Sequence, residues 1–143
     1  MENKQERPGC VWLVAAYFVI TGVTGLASLY MIRSGVFTRL PGVTVERLAY
    51  FSSLSTFDYA VPVLVVLCNL VGLVYLLRLK KQAVTFFLAA FFISMAMTAW
   101  HIMSKGYLAV MGRPGMIGFA VGTFLLLVVL GYVVNLRRKG VLQ

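Results

Sequence analysis

The chain contains 143 residues, of which 61% are hydrophobic and only 12% are charged, and its net charge is +9. An average soluble domain is about one-quarter charged, so this composition excludes a soluble globular enzyme and a disordered tail. It also excludes a large catalytic domain outside a bilayer, because little sequence remains once the apolar stretches are subtracted. The composition therefore predicts an integral membrane protein.

Four stretches are long and apolar enough to cross a membrane, which takes roughly 20 mainly apolar residues for about 30 Å of hydrocarbon. They comprise residues 11–32, 57–77, 84–104 and 115–136. The runs are too long and too uniformly apolar for the alternating strands of a β-barrel. The sequence thus predicts an all-α protein, residues 1–143 forming one domain of four transmembrane helices in an up-down bundle.

The basic residues are distributed unevenly between the two ends of these spans. Eight lie on the side of the termini, namely Lys4, Arg7, Arg78, Lys80, Lys81, Arg137, Arg138 and Lys139. Five lie on the other side, namely Arg33, Arg39, Arg47, Lys105 and Arg113. Because loops rich in Lys and Arg stay in the cytoplasm, we predict that both termini are cytoplasmic, in a bacterial cytoplasmic (inner) membrane. The clusters on that face are expected to contact anionic lipid headgroups rather than nucleic acid.

The loop after the first span contains a second helical pattern. Thr44 can cap a short helix at 44–54, whose apolar side would lie on the bilayer surface. The side chains expected to face the lipid are Val45, Leu48, Ala49 and Phe51 or Ser52. On the same side of the membrane, an aromatic belt is expected from Tyr50, Tyr59 and Tyr107.

Local signals also mark the ends of the spans. Ser55 or Thr56 can cap the second span, and Asp58 in its first turn suits the positive end of a helix. The segment Arg113-Pro114-Gly115 is expected to break the chain before the fourth span. The turn at 78–83 is so short that the second and third spans must be antiparallel neighbours.

Polar side chains recur on one face of each of these two neighbouring helices, at the spacing of an α-helix. They are Asp58 and Asn69 on the second span, and Ser94, Thr98 and His101 on the third. Rise per residue places Asp58 and His101 at one depth near the outer end, and Asn69 and Ser94 together near mid-bilayer. We therefore predict a polar seam that binds a ligand or protons, with an outer polar rim formed by Arg47, Lys105 and Arg113.

A structural interpretation of the same residues stays open. In this interpretation Asp58 simply supports the helix cap, and His101 lies among the lipid headgroups beside Trp100. Asn69 and Ser94 can simply join the two helices, each contributing about 0.6 kcal/mol.

Small residues predict close helix contacts at Gly118 and Gly122 on the fourth span and at Gly25 on the first. These contacts belong either to packing within the bundle or to an interface with a second copy or a larger membrane subunit. With a single histidine and two cysteines, Cys10 and Cys68, the chain offers no set of metal or haem ligands. No metal and no cofactor are expected.

Three hypotheses about function follow. The first is a protein that works by association, as an accessory subunit or a homo-oligomer protomer that transports or senses a small solute or lipid. The second is a proton-coupled transporter or channel that uses the seam between Asp58 and His101. The third is a membrane enzyme acting on a lipid headgroup at the outer face, with the same pair as acid and base.

Overall fold

The computed structural model describes residues 9–39 and 42–142, which form five α-helices and one short 3₁₀ turn. In chain order, the α-helices are α1 (Gly9–Arg33), α2 (Val45–Ser52), α3 (Thr56–Leu77), α4 (Gln82–Lys105) and α5 (Tyr107–Arg138). The 3₁₀ turn covers Phe37–Arg39. The described ranges contain no strand, so the all-α prediction is confirmed for them.

Four helices are long and apolar enough to span a membrane, as the sequence predicts. They are α1, α3, α4 and the segment Gly115–Arg138 of α5, and each lies within a few residues of its predicted bounds. Large apolar side chains are exposed along all of them. Such surfaces need an apolar solvent around them, so the chain is an integral membrane protein.

The cap predictions are confirmed as well. The side chain of Thr44 accepts a hydrogen bond from the backbone N–H of Arg47 and caps α2, and Ser55 is the N-cap of α3. The chain breaks at Gly112, one residue before the predicted segment, where a φ of 63° and a ψ of 179° interrupt α5.

The hairpin of α3 and α4 is the centre of the fold. Its helices make the most extensive contact in the protein, α1 packs on α3, and α5 packs on α4. We call the end at the 78–81 turn the turn end, and the opposite end, where α2 lies, the loop end. At the turn end Phe18 stacks on Phe87, with ring centroids 4.6 Å apart. Most of the buried core lies at this end, including Val11, Leu76, Val84, Val133 and Leu136.

Gly72 lies where α3 packs tightly against α4. A Cβ atom built on Gly72 would lie 2.9 Å from Cε1 of Phe87 and 3.3 Å from Cβ of Phe86. Phe87 is fully buried, so its ring has no free space to move into. The hairpin therefore depends on the absence of a side chain at this position.

Replacing Gly72 with alanine should lower the free energy of unfolding by about 1–3 kcal/mol, the usual cost of overpacking a core. Detergent-solubilised protein unfolded with sodium dodecyl sulfate and followed by circular dichroism measures it. Gly131→Ala is the matched control, because a Cβ there meets no described atom within 4 Å and alanine favours a helix. Equal stability of the two variants would contradict the packing argument.

Candidate functional site

Asp58 lies in the first turn of α3 and is buried at the loop end. Its Oδ2 accepts hydrogen bonds from the backbone N–H of Ser55 at 2.6 Å and from the Ser55 hydroxyl at 2.8 Å. The ammonium of Lys105, at the end of α4, forms an ion pair with the same oxygen. The carboxylate is therefore both the cap of α3 and a link to α4.

His101 completes the contact between the two helices. Its Nε2 lies 3.0 Å from Oδ1 of Asp58, and the histidine is also buried. The depth comparison in the sequence thus places these two side chains correctly. Because an ionised carboxylate only accepts hydrogen bonds, Nε2 carries the proton, and in the neutral imidazole Nδ1 is then an acceptor.

Tyr50 of α2 supplies the donor for that acceptor. Its hydroxyl lies 2.5 Å from Nδ1 of His101, and its side chain is buried. Burial raises the pKa of the Tyr50 phenol, so the hydroxyl stays protonated and donates a hydrogen bond to Nδ1 of the imidazole. Tyr50, His101 and Asp58 form a chain of two hydrogen bonds, in which tyrosine orients the histidine and the carboxylate fixes its tautomer.

The position of Tyr50 corrects the sequence prediction, which assigned it to an aromatic belt. The side of α2 with Arg47, Tyr50 and Phe51 is turned to the protein, together with Leu54 just after the helix. These four residues follow the i, i+3, i+4, i+7 spacing of one helix face. That spacing is the signal that could have found Tyr50.

The predicted rim residues have different surroundings. Lys105 lies on Asp58 and also donates to the carbonyl of Ser53 at 3.0 Å. Arg47 donates from Nε to the carbonyl of Val110 at 3.1 Å. Arg113 is exposed. Two of the three cations are thus bound to groups of the protein, and they do not form one open cationic rim.

Gly106 brings a second tyrosine to the site. Its φ of 62° ends α4, and its N–H donates to the carbonyl of His101. A left-handed residue of this kind reverses the chain direction at low cost only when it is glycine. The ring of Tyr107 therefore returns to the site, and its centroid lies 5.7 Å from that of Tyr50 and 6.0 Å from that of His101.

A cavity of about 450 Å³ adjoins this network, within the usual range for a small-molecule site. Its polar lining consists of Tyr50, Asp58, Tyr59, Ser94, Thr98, His101 and Tyr107. Its apolar lining comes from every helix except α5 and consists of Leu29, Ile32, Phe51, Leu54, Val61, Pro62, Val65, Val66 and Met97. The cavity therefore offers an apolar volume with hydrogen-bonding groups at the loop end.

The structure divides the predicted seam. Asp58, Ser94, Thr98 and His101 line the cavity, whereas Asn69 is not part of its lining. Asn69 lies one turn before Gly72, where Phe87 occupies the space between the helices. Its Oδ1 is buried without a hydrogen-bond partner among the described residues. The polar lining of the cavity therefore runs from the loop end as far as Ser94 and does not include Asn69.

The glycines expected to mediate helix packing have open space beside them in the described part of the chain. A Cβ atom at Gly25, Gly118 or Gly122 would meet no atom of the described chain within 4 Å. No close helix contact occurs at these three positions within the described residues, and an interface with a second copy or a larger membrane subunit stays a prediction. Their surfaces are open to whatever surrounds the protomer.

The described residues include no group of three or more His, Cys, Asp or Glu side chains that could hold a metal ion. Comparison with protein-family models, curated proteins and solved structures found no match. The cavity and its network of Tyr50, His101 and Asp58 are therefore the features that bear on function.

Removing the charge of Asp58 should destabilise the loop end strongly. We expect Asp58→Asn to lower the free energy of unfolding by about 3 kcal/mol, because the Lys105 ammonium loses its counter-charge in a partly buried position. Lys105→Met should also destabilise. The double variant should lose less than the sum of the single losses, by about 1–3 kcal/mol, when measured by unfolding in detergent.

Ser55→Ala serves as the control for this cycle. It removes one hydrogen bond to the same carboxylate without changing any charge, and should cost about 1 kcal/mol. Strictly additive losses for Asp58→Asn and Lys105→Met would contradict the ion pair. An equal loss for Ser55→Ala and Asp58→Asn would reduce the role of the carboxylate to helix capping.

Proposed function

We propose that the protein binds a small amphipathic molecule in the cavity at the loop end, within the outer part of the membrane. One observation carries the proposal: the cavity combines a mainly apolar wall with a buried polar network of Tyr50, His101 and Asp58 at one end. Ionisable groups in membrane spans are costly and commonly mark sites or pathways. A molecule with an apolar body and a polar head group matches the apolar wall and the polar end of the cavity.

The charges of the network favour an uncharged head group. Asp58 and Lys105 neutralise each other, and Arg47 does not line the cavity. A carboxylate or phosphate in the cavity would thus lose its hydration without gaining an unpaired cation. A hydroxyl or amide head group can instead donate a hydrogen bond to the oxygen of Tyr50. That hydroxyl uses its own proton to donate to His101. The same reasoning gives less support to an enzyme that grips a lipid phosphate.

A role in binding or sensing receives more support than a channel. The cavity ends before Asn69, and beyond it the turn end is filled by buried apolar side chains such as Phe18, Leu76 and Phe87. A path for protons or polar solutes across the membrane requires polar groups or water along its whole length. We therefore propose that the bound molecule is sensed or presented rather than conducted.

We further propose that this role is exercised by association with a second copy or with a larger membrane subunit. The open surfaces at Gly25, Gly118 and Gly122 support association, because small residues let helix backbones approach closely in lipid. No such contact occupies these glycines within the described chain.

The orientation that we propose places both termini in the cytoplasm, with the helices alternating in direction as an up-down bundle. The basic clusters at 78–81 and 137–139 would then face the cytoplasmic leaflet and its anionic lipids. The cavity and its network would open towards the outer leaflet, in a bacterial inner membrane.

A photoreactive probe tests the binding proposal. A 1-decanol analogue carrying an aliphatic diazirine should label cavity residues of the protein in nanodiscs, and excess 1-decanol should compete. Tyr50→Phe should weaken labelling about tenfold, since one hydrogen bond of about 1.4 kcal/mol is lost. Ser94→Leu should weaken labelling, because the larger side chain intrudes into the cavity. Mass spectrometry of the labelled peptides gives the readout.

Two matched variants and one matched probe control this experiment. Tyr30→Phe and Ser104→Leu change the same residue types at exposed positions and should label like the natural chain. The corresponding decanoate probe carries a charged carboxylate in place of the hydroxyl head group and should label the cavity poorly. Equal labelling by both probes, or indifference to Tyr50→Phe and Ser94→Leu, would overturn the proposal.

Cysteine labelling tests the orientation in a chain that carries Cys10→Ser and Cys68→Ser. A membrane-impermeant maleimide should label Arg39→Cys in intact cells, because the loop that contains it faces outward. It should label Lys139→Cys only after the membrane is permeabilised. The reverse pattern would invert the proposed topology, and labelling of both in intact cells would place the 39 and 139 positions on one side.

A further inference from the structure

A second apolar volume lies on another face of α3, at the same end of the protein. This groove has a volume of about 420 Å³. Thr56, Ala60, Val63 and Leu67 line it, and their spacing of four, three and four residues is that of a single helix face. The stripe spans 12 residues and is about 16 Å long. It presents a long and narrow apolar surface to the membrane.

Arg33 closes the groove at its loop end. It is the last residue of α1, so its guanidinium lies at the end of a membrane span. The guanidinium carbon lies 5.4 Å from the centre of the Tyr59 ring, which also lines the groove. No described carboxylate forms an ion pair with Arg33. The cation is therefore positioned by an aromatic ring and keeps its hydrogen-bond donors for another partner.

We propose that this groove holds one acyl chain of an anionic phospholipid, with the lipid phosphate on Arg33. The apolar stripe matches the shape of a lipid chain, and the guanidinium at the span end matches the depth and charge of the phosphate. This site is distinct from the cavity, whose charges are neutralised internally, and it stands whether or not the cavity binds a ligand.

Nanodisc experiments can vary the charge at residue 33 and the shape of the groove separately. The protein is assembled in nanodiscs of equal parts phosphatidylglycerol and phosphatidylcholine, and the lipids that remain bound on release are counted by native mass spectrometry. We expect the natural chain to retain phosphatidylglycerol preferentially. Arg33→Gln should reduce this preference about fivefold, which corresponds to about 1 kcal/mol for one charge near the surface.

Matched variants distinguish a built site from general attraction. Arg33→Lys should keep most of the preference, and Arg39→Gln, which removes a charge elsewhere in the same outer region, should leave it unchanged. Leu64→Trp should obstruct the groove and abolish retention of the bound lipid. Leu125→Trp, at an exposed position on α5, should not.

Several outcomes would overturn the proposal. An equal loss with Arg39→Gln and Arg33→Gln would mean diffuse electrostatic attraction. Displacement of the lipid by inorganic phosphate alone would mean an anion site without a bound chain. Unchanged retention with Leu64→Trp would mean that the groove is not the binding surface.

Discussion

The carboxylate of Asp58 is the interaction on which the rest of the loop end depends. A buried charge within a membrane protein costs several kcal/mol unless it is paired and hydrogen-bonded. Here its two oxygens are satisfied by the N-cap Ser55, by Lys105 and by His101. These partners come from the link before α3 and from the last two turns of α4, so the charge obliges those segments to meet. Tyr50 then joins α2 to the same network through the histidine.

The two ends of the α3–α4 hairpin differ in packing. The turn end is a packed apolar core in which even a methyl group at Gly72 would collide with Phe87. The loop end contains the cavity and, beside it, the lipid-facing groove. Tyr59 lines both volumes, so a single aromatic ring separates them, and Arg33 rests on its face. The packed turn end thus holds together the helices that line the cavity and the groove at the loop end.

Much of this architecture follows from local sequence signals. Length and hydropathy define the four spans, Thr44 and Ser55 mark helix starts, and helical rise predicts the meeting of Asp58 with His101. What local signals do not determine is the direction in which a short helix faces. The pattern of 44–54 predicts a lipid-facing side but not the group that Tyr50 contacts, so the role of Tyr50 depends on tertiary packing. For the same reason, the glycine pairs could not be assigned to the inside or outside of the protomer.

The ion pair also limits how this protein adapts to bilayers of different thickness. Asp58 holds the start of α3 level with the end of α4, while Phe87 fits against Gly72 nearer the turn end. Sliding one helix along the other by a turn of about 5.4 Å would break both contacts. The hairpin can therefore meet a thinner or thicker hydrocarbon layer only by tilting as one body or by deforming the lipid around it, at a cost of fractions of a kcal/mol per Å of mismatch.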